Sequence, residues 1–213
     1  KNTITVKSGV AADVTITGLN IRAEDHPAIL VEAGATLNLT VTGENTLAGG
    51  DGFAAICVAP AYDGEGNYDP SASAALTIDG TGKLYAAGGK GGAGLGGNAF
   101  DKDNPDADHV DFGTITVSED FEGEIRALGG EDAPDRGEGT GGGAGIGSGG
   151  YNDSTYYWGP TVGTITIGGG TVNATSNGSG AGIGSGSGEG FDSSTSNIEI
   201  AIHGGMVMAT GGT

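Results

Sequence analysis

Thr164-Ile165-Thr166-Ile167-Gly168-Gly169-Gly170-Thr171-Val172-Asn173-Ala174-Thr175, followed after four residues by Gly180-Ala181-Gly182-Ile183-Gly184-Ser185, is the stretch that decides the fold. It contains an alternating strand, a glycine turn, a second alternating strand with a small residue two positions after its valine, and a short third strand set between glycines. Alternation of period two places Ile165 and Ile167 on one face and Thr166 on the other. The same order recurs from Leu76-Thr77-Ile78 to Ala93-Gly94-Leu95-Gly96, and from Ile115-Thr116-Val117 to Ala144-Gly145-Ile146-Gly147. Strands repeated in fixed order with no helical spacing between them indicate a solenoid, in which each repeat buries its apolar face only by stacking on its neighbours.

Extended along the chain, the pattern gives three inward ladders. First strands contribute Val14/Ile16, Leu39/Val41, Leu76/Ile78, Ile115/Val117, Ile165/Ile167 and Ile198/Ile200. Their outward residues are Thr15, Thr40, Thr77, Thr116, Thr166 and Glu199. Second strands run through Ile21, Leu47, Leu84, Ile125, Val172 and Val207. Third strands run through Ile4, Ile29, Ile56, Leu95, Ile146 and Ile183. The expected fold is all-β, a right-handed parallel β-helix of about six three-strand coils with loop insertions along one edge. The handedness follows the general preference of parallel crossovers. Residues 1–213 are expected to form a single domain, a fragment of a larger multidomain surface protein whose flanking modules cover the open ends of the stack.

Glycine (47 residues) and proline (6) make up about a quarter of the chain, a share that without periodic Ile, Leu and Val would indicate disorder. The net charge is −19 with only eight lysines and arginines. Such a chain repels nucleic acid and anionic lipid, and no apolar run is long enough to insert in a membrane. Cys57 is the single cysteine, so no internal disulfide forms, and its neighbours Ile56 and Val58 place it in a packed strand.

The shortest step between first strands, Val14 to Leu39, is close to a bare coil, and the longer steps are insertions. Most follow the third strand: residues 61–74, 99–113, 150–163 and 187–197. One more, 131–142, lies between a second and a third strand. Stacking in register gathers insertions at one corner onto one edge, where binding residues are expected. Their composition is acidic and aromatic. Asp63, Glu65, Asn67 and Asp69 supply oxygens at every second position, and Asp101, Asp103, Asp106 and Asp108 do so more densely; calcium, which takes six to eight oxygens, is the cofactor they suggest. Tyr62, Tyr68, Tyr151, Tyr156, Tyr157 and Trp158 are the candidate ligand-binding residues, because an apolar ring with a polar handle stacks well on a sugar face. The alternative is that the rings pack the loops onto the coil, the expected role of most of the phenylalanines. Glycines at the outward positions of the third strands (Gly94/Gly96, Gly145/Gly147, Gly182/Gly184) leave either a bare trough or room for insertions to fold back over them.

The stretch 164–175 with Gly180–Ser185 resembles repeats in large secreted surface proteins of anaerobic Gram-positive gut bacteria. The first half, Val14–Gly97, is similar in plan to a clostridial β-helix family of carbohydrate-binding domains; Ala54-Ala55-Ile56 and Leu76-Thr77-Ile78-Asp79-Gly80-Thr81-Gly82-Lys83-Leu84 carry that likeness. The resemblance implies a polysaccharide-lyase-like fold, an extracellular, secreted or cell-wall-attached location, and sugar binding that in some members involves calcium. It transfers no binding residue.

Catalysis has little support in the sequence. His26, His109 and His203 fall in different coils, and Arg126 and Arg136, the basic residues nearest the loops, are surrounded by acid. The leading expectation is a non-catalytic, monomeric binding module of a bacterial adhesin that recognises a glycan or host glycoprotein through its aromatic and acidic loops. The alternatives are recognition of a host protein such as immunoglobulin or mucin by the same loop edge, a structural spacer, and a lyase-like carbohydrate-active enzyme.

Overall fold

The structure, a computed structural model, describes residues 3–100, 110–133, 141–151, 161–188 and 197–212. The first coil comprises β1 (Ile4–Val6), β2 (Ala11–Thr17) and β3 (Asn20–Arg22), and the second β4 (Ile29–Val31), β5 (Thr36–Thr42) and β6 (Glu44–Ala48). The third has β7 (Ile56–Val58), β8 (Ala75–Gly80) and β9 (Lys83–Ala87), and the fourth β10 (Leu95–Gly96), β11 (Thr114–Val117) and β12 (Glu124–Gly129). The fifth has β13 (Ile146–Gly147), β14 (Val162–Ile167) and β15 (Thr171–Ser176), and the sixth β16 (Ile183–Gly184), β17 (Asn197–Ile202) and β18 (Met206–Thr210). Every third strand pairs in parallel, which produces three six-stranded sheets. Sheet I is β1-β4-β7-β10-β13-β16, sheet II is β2-β5-β8-β11-β14-β17, and sheet III is β3-β6-β9-β12-β15-β18. This is the expected parallel β-helix of six coils.

The inward side chains of all three sheets form one continuous core, in which Ile29, Leu37, Leu39, Leu47, Ile56, Leu76, Ile78, Leu84, Leu95 and Ile115 are fully buried. Burial of each such side chain contributes on the order of 2 kcal/mol, so the stack is held mainly by these ladders. At the last coil the inward positions Ile200 and Ile202 are exposed, as follows from their place at the open end of the core.

The ladder of sheet I matches the sequence reading at every rung: Ile4, Ile29, Ile56, Leu95, Ile146 and Ile183 stand opposite one another in turn. Sheets II and III depart from it by two residues at three places. Leu37 and Leu39, rather than Leu39 and Val41, face Leu76 and Ile78. Ile200 and Ile202, rather than Ile198 and Ile200, face Ile165 and Ile167. Leu47 faces Ala86, which puts Asn45 opposite Leu84. The outward threonine row is broken accordingly, since Thr40 stands beside Asp79, Thr77 beside Asn38, and Thr166 beside Ala201.

Asn45 therefore occupies an inward, 3% exposed rung of an otherwise apolar ladder. Its amide donates to the carbonyls of Thr42 (2.9 Å) and Lys83 (3.3 Å), and its Oδ1 accepts the Leu19 N–H (2.9 Å). One side chain thus satisfies corner backbone groups in three successive coils, which is what makes a buried amide tolerable there.

The long connections run from sheet I to sheet II, and their feet stack as the coils do. Phe100 N–H donates to the Gly150 carbonyl (3.0 Å), Gly149 N–H to that of Val110 (2.9 Å), and Tyr151 N–H to that of Ser187 (2.9 Å). The glycines of sheet I are buried, Gly94, Gly96, Gly145, Gly147, Gly182 and Gly184 included. A Cβ at Gly94, Gly145 or Gly182 would meet backbone atoms of neighbouring strands, among them the carbonyls of Gly145, Gly182 and Ala174, so these glycines permit close stacking of the coils themselves. Gly147 also has a backbone reason: its φ is +137°, and a Cβ there would collide with the carbonyl oxygen of Gly184 in the next coil. Gly163, at φ +156°, makes room instead for the ring of Phe112, which would lie 2.5 Å from a Cβ at that position.

Candidate functional site

Two regions hold chemistry-bearing side chains: the loop edge and the outer face of sheet III. On the loop edge, residues 61–69 form a small antiparallel hairpin closed by a Tyr62–Tyr68 bridge. The two rings meet edge to face at 6.4 Å and 70°. Asp63 folds the turn. Its Oδ1 accepts the N–H groups of Glu65 (2.8 Å) and Asn67 (2.9 Å), and these bonds hold its carboxyl below the usual carboxylate range. Asp69 acts in the same way at the hairpin's end: its Oδ1 accepts from the Ser71 hydroxyl (2.6 Å) and N–H (2.9 Å), which again lowers its pKa. The carboxylates of Asp63 and Asp69 are thus turned onto their own backbone, and no three of His, Cys, Asp and Glu converge among the described residues.

The tyrosines of the hairpin dock it. The Tyr62 hydroxyl donates to Oδ2 of Asp111, and the Tyr68 hydroxyl to the Phe112 carbonyl (3.3 Å). The other oxygen of Asp111 accepts the Val162 N–H (3.0 Å). One carboxyl thereby latches three successive insertions. Burial is the main influence on it and pushes its pKa up to about 6, against the lowering effect of its two hydrogen bonds. Burial, followed by the neighbouring Asp111 charge, also raises the Tyr62 phenol well above its ordinary value. Tyr62 nonetheless keeps 40% of its surface exposed. Tyr151 is 5% exposed and packs against Phe100 at 5.3 Å between ring centres. Tyr156, Tyr157, Trp158, Asp101, Asp103, Asp106 and Asp108 lie outside the described residues, as do Arg136 and His109. His26 and His203 are in separate coils, and Cys57 is buried with Ala54, Ala93 and Leu30 on the outer side of sheet I.

The outer face of sheet III was not singled out by the sequence reading. There β6, β9 and β12 line an open cleft of about 250 Å³ formed by Glu44, Thr46, Lys83, Tyr85, Glu124 and Arg126. Register stacks Glu44, Lys83 and Glu124 in one outward row and Thr46, Tyr85 and Arg126 in the next. Lys83 pairs with Glu44 at 3.3 Å, and Arg126 Nε with Glu124 at 2.7 Å. The Arg126 bond lowers the Glu124 pKa and raises that of Arg126. Tyr85 stands between these pairs with 39% of its surface exposed. The signal available in the sequence was the alternation Lys83-Leu84-Tyr85-Ala86, which puts a tyrosine at an outward strand position.

No family model, curated protein or solved structure matches the chain.

Proposed function

We propose that this chain is a non-catalytic binding module of a bacterial secreted or cell-wall-attached adhesin, and that its ligand is a glycan. The observation that carries the reading is the sheet III cleft, where an exposed tyrosine ring is flanked by alternating donors and acceptors on a rigid surface. A sugar ring presents an apolar face and a rim of hydroxyl groups, which matches a stacking platform surrounded by polar side chains.

The test is a glycan array probed with this chain, once with calcium and once with chelator, with immunoglobulin and mucin alongside. Sugar binding supports the proposal. Loss of that binding in chelator supports calcium as the cofactor. Binding only to the intact host proteins, and surviving their deglycosylation, replaces the reading with protein recognition. Silence throughout leaves the spacer.

A further inference from the structure

We infer that the cleft is one station of a binding track running along the solenoid axis on sheet III, and that the track takes an internal stretch of an uncharged polysaccharide rather than a chain end or an acidic sugar. The inference rests on the glycan reading above and specifies its ligand.

The first argument is charge. Lys83 and Arg126 offset Glu44 and Glu124, so the cleft is balanced on a chain whose net charge is −19. An anionic ligand would meet Glu44 and Glu124, and a cationic one would meet Lys83 and Arg126. Either would meet a like charge held in place by an ion pair. A hydroxyl group both donates and accepts, and can use both signs without separating them. Nε of Arg126 is taken by Glu124, while its two terminal nitrogens remain to donate outward.

The second argument is shape. Among the described residues the cleft is open and crosses three coils, a shape that suits an internal stretch of chain better than a chain terminus. Its two outward rows continue toward the last coil with a change of character. Arg126 is followed by Asn173 and Met208, and Glu124 by Thr171 and Met206. Asn173 and Thr171 are short, uncharged and hydrogen-bonding. Met206 and Met208 are 66% and 62% exposed, an apolar pair on the outer face of an acidic protein. Polarizable, adaptable methionine side chains suit contact with the apolar face of a second sugar ring. At the spacing of paired strands, the distance from β6 to β18 is about 20 Å, several times the width of one sugar ring.

The test uses neutral gluco-, xylo- and manno-oligosaccharides from dimer to octamer, with galacturonate oligomers as the charged counterpart, titrated calorimetrically against the wild-type chain, Tyr85→Ala and Met208→Asp. The expected result is binding of one neutral series whose affinity rises about tenfold or more from dimer to hexamer as the track fills. Tyr85→Ala should weaken every length by about tenfold. Met208→Asp should weaken the long oligomers and leave the dimer unchanged, a split that general unfolding would not produce. Affinity independent of length, or preference for galacturonate, overturns the inference while the glycan reading stands. Wild-type binding that neither substitution alters moves the site off sheet III with the same consequence. No binding to any series, together with a silent array, overturns both.

Discussion

The loop edge and the outer face of sheet III draw on the same residue types and use them for opposite purposes. On the loop edge, Tyr62, Tyr68 and Tyr151 are turned toward other insertions, and Asp63, Asp69 and Asp111 spend their oxygens on neighbouring N–H and O–H groups. On sheet III, Tyr85, Arg126 and Lys83 stand at outward strand positions and line an open cleft. Insertions must satisfy their own backbone before they can recognise anything, and polar and aromatic side chains are what they satisfy it with. The strands of sheet III are already satisfied by their ladders, so their outward side chains remain available.

The sharpest way to break this contrast is to disturb the close stacking of sheet I. Gly147→Val would force a branched side chain into a φ of +137° and against the Gly184 carbonyl. A loss of at least about 3 kcal/mol in urea unfolding is expected. A near-wild-type midpoint would mean that the fifth and sixth coils are not stacked at this rung as described. The Asp111 latch is the next test. Its carboxyl titrates near 6 when folded, above the 3.8 expected of an exposed aspartate. Between those values the folded state holds the extra proton, so this group's contribution to stability falls as pH rises from about 4 to about 6, by at most about 3 kcal/mol, and is flat above. Asp111→Asn keeps an acceptor for Val162 and should flatten that segment of the stability–pH curve relative to wild type. An unchanged difference between pH 4 and pH 7 would show that the latch does not carry the charge penalty.

Sheet I was legible in full because its strands align in one way: Ile4/Val6, Ile29/Val31 and Ile56/Val58 are matching inward pairs, and Leu95, Ile146 and Ile183 are single inward residues between glycines. Sheets II and III were legible as to face but not as to register. β5 offers Leu37, Leu39 and Val41, and β17 offers Ile198, Ile200 and Ile202. With three alternating apolar residues against two, a slip of two keeps every side chain on its correct face, so periodicity cannot choose. The corners choose, and at the second coil the corner is fixed by Asn45, which looks polar and therefore outward in a sequence. Asn45→Ala should cost about 2 kcal/mol, because it strands the Leu19 N–H and two carbonyls away from water. Thermal unfolding would register this as a clear fall in midpoint, and an unaltered midpoint would remove Asn45 as the register pin. The candidate site was legible as a composition, tyrosines and acids on a β-helix, but not as a place. Residue content cannot distinguish a ring that docks a loop from one that awaits a ligand, and the difference between Tyr151 and Tyr85 is entirely one of what lies above them.

The smallest expected effect on stability is the most informative about function. Lys83 and Glu44 form an exposed pair, and such pairs contribute little to folding. Tyr85 points away from the core, with Leu84 and Ala86 supplying the buried rungs on either side. Tyr85→Ala and Lys83→Ala should each leave the unfolding midpoint within about 0.5 kcal/mol of wild type. If either substitution destabilised the fold to the extent expected for Asn45→Ala, the sheet III side chains would be structural, and the contrast between the two regions would vanish. If both are silent in unfolding, the outward side chains of this face are not needed for folding, as the proposed binding role requires.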